Sequence, residues 1–315
     1  MDERVKSKRW VTAARFAVAG VIIAFMLAIL VRNAADILDA GLAIRPLHLT
    51  IAILLLLAYY LAMSGVWYEI TRCFDIAVPF WRTVRIWSNS MAGKYLPGKI
   101  WLIAGRFYYY RRAGRPATAV TAAIVVDSSV QLVTSCIVFL LCFFALGPAA
   151  ADLNRSSPVN PVALCAVAVV LLLILVHPSV LQTVVNALAR LRRKEAMALS
   201  VRAGRVYGTA VCSVGARAIG GLAFFFLVNS VTPIGWPHYF YLTGTMALSG
   251  LLGTLAIITP GGIGVREASI AVLLTYLFPE GTAVLLGLVA RVWMVVTELL
   301  LLGVVNIAVP CKPRK

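Results

Sequence analysis

The chain has 315 residues, 61% of them hydrophobic and only 13% charged, with a mean hydropathy of +0.92 and a formal net charge of +17. Several apolar runs reach the ~20 residues that cross a bilayer, so it reads as an all-α polytopic membrane protein, a single membrane domain over residues 1–315. The longest polar segments are too short for a soluble catalytic domain, and the basic residues sit between apolar spans, which excludes nucleic acid as the reason for the charge.

The N-terminus carries Arg4, Lys6, Lys8 and Arg9 before an apolar run from Val11 to Val31. That run is long for a signal-peptide core and reads as an uncleaved first helix. Leu47–Tyr68 is a second span, with Tyr59, Tyr60, Trp67 and Tyr68 as interface anchors. Residues 70–116 hold nine basic residues, yet Ile86–Tyr110 is aromatic and fairly apolar and is broken by Gly93-Lys-Tyr-Leu-Pro-Gly-Lys99. Two short helical arms around a Pro-Gly break suit a re-entrant hairpin; the other reading is an amphipathic helix pair on the cytoplasmic surface.

Ala117–Leu146 is the next long span, and Asp127, Gln131 and Thr134 share one helical face within it. A carboxylate at membrane depth usually faces a bundle interior. Pro161–Val176 is a shorter apolar span, followed by a basic segment with Arg190, Arg192, Arg193, Lys194, Arg202 and Arg205. Val206–Val228 follows, with Ser213, Arg217, Gly220 and Gly221 on one stripe. Arg217 falls near its middle, where insertion of a charge costs ~2.5–3.5 kcal/mol and a partner is expected.

A second break, Thr259-Pro-Gly-Gly-Ile-Gly-Val-Arg-Glu-Ala268, interrupts the apolar run from Tyr239 to Phe278. Pro260 removes a backbone donor, and Gly261, Gly262 and Gly264 permit backbone angles that other residues avoid. Broken helices are tolerated in a membrane where protein or a water-filled cavity satisfies the freed backbone groups. The stretch therefore lines a cavity near membrane depth, with a helix N-terminus suited to anions aimed into it, or else it is an ordinary interfacial loop. The last span, Ala283–Val305, carries Arg291 and Glu298 at i, i+7 on one face.

With both broken regions returning to the side they leave, about six full spans and two Pro/Gly-broken hairpins place 22 of the 29 basic residues on one side. That side is cytoplasmic and holds both termini, which suits a bacterial inner membrane. The order span, span, broken hairpin, span occurs twice, over 11–146 and 161–305, with opposite starting sides. This is the pattern of an inverted-topology repeat, in which Pro97 and Pro260 approach the midplane from opposite faces and flank a shared site.

Six cysteines form no Cys-x-x-Cys pair and mostly lie in apolar segments, so they read as small core residues. His48, His177 and His238 have no ligand-like spacing. No metal or cofactor is expected. No nucleophile, His or paired-carboxylate arrangement has catalytic spacing, so an enzyme is not expected either.

Gly93-Lys-Tyr-Leu-Pro-Gly-Lys99 with Trp101, Gly105 and Arg106, followed much later by Thr259-Pro-Gly-Gly-Ile-Gly-Val-Arg-Glu267, resembles the lysylphosphatidylglycerol synthase transmembrane family of flippase-like membrane proteins. The resemblance covers about Trp10 to Val309. In bifunctional members the membrane domain moves an aminoacylated phospholipid between leaflets and a C-terminal soluble domain makes it. This chain stops after its last span, so the resemblance implies a stand-alone member that translocates a lipid, without implying lysyl-lipid as the cargo; related stand-alone proteins handle polyprenyl-linked and hopanoid lipids. It implies Pro97, Gly98, Pro260, Gly261 and Gly262 as the turns of the site and Arg106, Arg266 and Glu267 as its charges, with Asp127 at a family acidic position.

From the residues themselves, Arg217, Arg266 and Arg291 suit a phosphate, since guanidinium binds it bidentately. Asp127, Glu267 and Glu298 balance those charges or bind an amine. Lys94 and Lys99 contact either substrate or anionic lipid at the cytoplasmic surface. The expected partner is a membrane lipid with an anionic or polyprenyl-linked headgroup, together with a second copy of the chain or a biosynthetic enzyme. Two other readings stay open: the same charges form ion pairs that only hold the bundle together, or the chain is an accessory or scaffold subunit of a lipid or glycan synthesis system.

Overall fold

The computed structural model describes residues 45–95, 100–142, 161–175, 177, 179–183, 186, 203–256 and 259–309. The expected first span Val11–Val31, Pro97, Gly98 and Lys99, and the basic residues 190–202 lie outside these. Every regular element among the described residues is helical. The helices are α1 (Pro46–Cys73), α2 (Phe80–Met91), α3 (Ile100–Arg112), α4 (Ala117–Leu140), α5 (Pro161–Leu175), α6 (Ala203–Val231), α7 (Tyr239–Leu255), α8 (Val265–Leu274) and α9 (Glu280–Ala308). Short 3-10 turns occupy Ala92–Tyr95, Trp236–His238 and Pro260–Gly262.

Proline sets most of the helix starts. Pro46 opens α1, and Pro79, Pro116 and Pro279 stand immediately before α2, α4 and α9. A proline there has the φ a helix needs and lacks a donor that the first turn would leave unmet. Asp75, at φ 54°, turns the chain between α1 and α2.

Four helices, α1, α4, α6 and α9, are long and apolar enough to cross a membrane, at 28, 24, 29 and 29 residues. α1, α6 and α9 each contain their expected span and run past it at both ends, while the last residues of the span expected over Ala117–Leu146 lie outside the described ones. The fifth expected span that is described, α5, is a 15-residue helix, shorter than a bilayer crossing. The chain is thus a multi-pass all-α protein with four full spans among the described residues, the expected first span lying outside them.

α1 and α6 pack together most intimately and run antiparallel. At one end the Arg45 amide donates to the Ser230 carbonyl (2.8 Å); at the other, Cys73 and Arg205 line a common groove. Small residues allow this approach, as membrane helices need without a hydrophobic drive between them. A methyl group on Gly220 would lie 3.0 Å from the Tyr59 ring. Two residues expected at the membrane interface are instead in the core: Trp67 is fully buried against Tyr110, and Tyr60 is 5% exposed. Of the cysteines, Cys142 is buried as expected, whereas Cys212 is exposed.

Two helix pairs fold back on themselves. In α2–α3, Arg115 donates to the Ala77 carbonyl (2.6 Å), closing the end of the pair onto its start. In α7–α8, the Tyr241 hydroxyl donates to the Leu273 carbonyl (2.6 Å) and its ring stacks on Tyr276. The first pair begins just after α1 ends, and the second just after α6 ends. Because α1 and α6 are antiparallel, the pairs start from opposite ends of the molecule. Their tips meet: the Ala92–Tyr95 turn touches the Pro260–Gly262 turn. α9 runs past both tips, and near its C-terminus Asn306 bonds Arg85 and Asn89 of α2.

Candidate functional site

At the junction of the tips, Tyr95 lies against Gly261, whose φ of +60° and close neighbours both demand glycine. Glu298 of α9 reaches the same turn. Its carboxylate accepts hydrogen bonds from Lys94, from the Tyr95 hydroxyl (2.7 Å) and from the Tyr60 hydroxyl (2.8 Å), so the first tip is tied to both α9 and α1. Two turns earlier on α9, Arg291 donates to the Gly261 carbonyl (3.2 Å), lies over the Tyr95 ring, and forms an ion pair with Glu267 (3.2 Å). It is 1% exposed. A buried charge of this kind needs its partner close, and here the helix break supplies both the carbonyl and the carboxylate.

A third pair joins α3 to α4. Arg106 donates to Asp127, and its guanidinium lies over the Trp67 ring at 4.4 Å. Both charges are 4% exposed. Farther along the same face of α4, Gln131 donates weakly to Asp127 (3.5 Å) and accepts from Arg217 of α6 (2.8 Å). Arg217 also donates to the Gln131 carbonyl (2.8 Å) and to the Thr134 hydroxyl (3.2 Å), which in turn contacts Ser213. The expected polar faces of α4 and α6 therefore do meet.

Arg266, in the first turn of α8, follows Gly264, which has φ +84°. Its side chain lies along α7, where a methyl group on Gly253 would come 2.5 Å from its Cγ. Its one hydrogen bond within the described residues is a weak one to the Met294 sulfur (3.8 Å).

A cavity of about 270 Å³ lies among these groups. Lys94, Arg106, Asp127, Arg217, Gly261, Arg266 and Glu298 line it, with Gln131 beside them. Its apolar wall includes Met63, Trp87, Met91, Met246 and Met294. Glu267, Arg291 and Gly262 stand behind the wall: Arg291 braces Gly261, Glu267 pairs with Arg291, and a Cβ on Gly262 would fall 2.9 Å from the Gly253 backbone, so there is no room for one. Pro260 lies in the turn itself. The sequence reading did not single out Tyr95, nor give Tyr60 a role at the site. Tyr95 is inside the first broken motif, and the hydroxyls of both bind Glu298, a carboxylate that stands out in the sequence as a charge within a span.

The family described as Lysylphosphatidylglycerol synthase TM region matches residues 13–301. That description ties the chain to membrane lipids and to a transmembrane region, not to a synthetase domain. No curated protein matches the chain. The chain, with its broken helices meeting at a charged cavity between apolar spans, belongs to the lysylphosphatidylglycerol synthase transmembrane-region family.

Proposed function

We propose that the protein moves a lipid headgroup between the two leaflets of the membrane through the charged cavity. One observation carries this reading: two helical hairpins that start from opposite ends of the molecule meet at a cavity with charged walls inside apolar spans. A headgroup crossing hydrocarbon unaided loses the hydration of its charges. A polar cavity at mid-depth replaces part of that hydration while the acyl or prenyl chains stay in lipid. Irregular backbone is admissible there because protein meets the freed groups: Arg291 of α9 donates to the Gly261 carbonyl.

On this reading the hairpins are re-entrant and related as halves of an inverted repeat, and transport proceeds by movement of one tip against the other. The basic side, with both termini, faces the cytoplasm of a bacterial cell. Lys94, Arg106, Asp127, Arg217, Arg266 and Glu298 contact the headgroup or balance its charge; Pro97, Gly98, Pro260, Gly261, Gly262, Glu267 and Arg291 shape the tips. A second copy or a biosynthetic enzyme delivers or receives the lipid.

The test is reconstitution of the purified chain into liposomes with fluorescent phospholipids and a polyprenyl phosphate, with leaflet access followed by quenching. Movement in the wild type that Arg217→Gln abolishes while still folding supports the proposal. Absence of movement for every lipid, with and without an ion gradient, favours the accessory-subunit reading.

A further inference from the structure

The charges on the cavity wall are unequal. Four cations, Lys94, Arg106, Arg217 and Arg266, face two carboxylates, Asp127 and Glu298. Both carboxylates are already engaged, Glu298 by Lys94 and Asp127 by Arg106. Behind the wall, Arg291 and Glu267 cancel each other. Arg217 and Arg266 are left, and among the described residues neither has a carboxylate within ion-pair distance.

The two differ from the paired cations in what holds them. Arg217 is oriented by neutral oxygens: Nε donates to Thr134, and Nη2 donates twice to Gln131, leaving Nη1 without a described partner. Arg266 has only the Met294 sulfur, leaving Nε and Nη2 without one. Neutral ligands fix a guanidinium without cancelling its charge, and two uncancelled cations at a cavity enclosed by apolar spans are costly unless an anion visits them. The volume suits that visitor: it lies just below the ~300 Å³ lower bound of small-molecule sites, enough for a headgroup and too small for a whole lipid.

We infer that Arg217 and Arg266 form a two-arginine clamp for the phosphate of a net-anionic lipid headgroup, one without an amine to balance its charge. The inference rests on the lipid-cavity reading and narrows its substrate class. An aminoacylated or zwitterionic headgroup brings a cation of its own, and both carboxylates on the wall that would receive it are occupied. Arg106, Lys94 and Arg291 hold the walls, and the clamp does the selecting.

Binding, measured apart from movement, tests this. The full chain in uncharged detergent is titrated with fluorescent short-chain phosphatidylglycerol, phosphatidylcholine and lysylphosphatidylglycerol, and affinity is read by anisotropy. Phosphatidylglycerol should bind about tenfold more tightly than either of the others, the size of one charge-assisted contact. Arg217→Gln and Arg266→Gln should each remove that preference, with partial recovery in the Lys variants. Ser128→Asp, which adds a carboxylate to the cavity wall at an exposed position, should remove it while every arginine is kept, and so serves if the Gln variants misfold. Equal affinity for the three lipids, tightest binding of the lysyl lipid, or an unchanged preference in Ser128→Asp overturns the clamp. Displacement of the lipid by an equal concentration of inorganic phosphate overturns the lipid as the phosphate source. A chain that binds in the expected order but moves nothing between leaflets overturns the translocation reading and leaves the clamp standing.

Discussion

The ring of Tyr95 lies so close to Gly261 that a Cβ at position 261 would come within 3.1 Å of it, and within 3.1 Å of the Arg291 guanidinium. The contact joins two breaks more than 160 residues apart in the chain. It holds because position 261 has no side chain and adopts φ +60°. Gly261→Ala should therefore cost about 1–3 kcal/mol through strained backbone and displaced neighbours. Thermal unfolding in detergent measures this. A variant that melts with the wild type would mean that the tips are not tightly apposed.

Glu298 is held by three donors, which makes it the tie between the first tip and the rest of the bundle. Glu298→Gln should be strongly destabilising, by about 3–5 kcal/mol, because it leaves Lys94 buried beside a neutral group. Lys94→Met combined with Glu298→Gln should recover much of that loss. A double-mutant cycle reads the coupling directly, and additive losses would refute the pairing.

Asp127 and Arg217 share Gln131 but should behave differently. Asp127→Asn breaks a buried ion pair and should cost about 3–5 kcal/mol. Arg217→Gln removes only hydrogen bonds to neutral groups and should cost about 1–3 kcal/mol. The order reverses for transport, with Arg217→Gln the more damaging when compared at equal folded fraction. Equal stability losses for the two would indicate that Arg217 is scaffold.

Gly253 leaves the space that the Arg266 side chain occupies. In Gly253→Ala the new methyl meets the Cγ, Cδ and Nε of Arg266 rather than backbone, so the whole arm must swing away. The arginine loses its place at the cavity, and transport should fall about tenfold, the value of one charge-assisted contact. A leaflet-exchange assay checks this, with Gly204→Ala, at a helical site with open space around it, as the control.

Hydropathy exposed the spans and, against that apolar ground, the residues that do not belong: Asp127, Arg217, Arg291 and Glu298 stand out because charge at depth is costly. Helical period then placed Gln131 and Thr134 on the face of Asp127, and the structure brings that face to Arg217. Proline and glycine marked both breaks. What pattern does not carry is partnership. Lys94 and Glu298 are 204 positions apart, and no local period relates them. Tyr60 reads as an interface anchor because tyrosine is common there, yet its hydroxyl binds Glu298 in the core.

The sequence by itself determined that the chain is a multi-pass helical membrane protein, where its helices break, and which charges require an explanation, because burial cost and helix period are local properties of the chain. Only the tertiary structure decided which charges cancel and which do not. Arg291 was matched to Glu267, Arg106 to Asp127 and Lys94 to Glu298, leaving Arg217 and Arg266 at the cavity. Pairing is settled by which helices become neighbours, and in lipid that depends on shape, on where a glycine such as Gly220 or Gly253 lets two elements close, rather than on hydrophobicity, which every span shares.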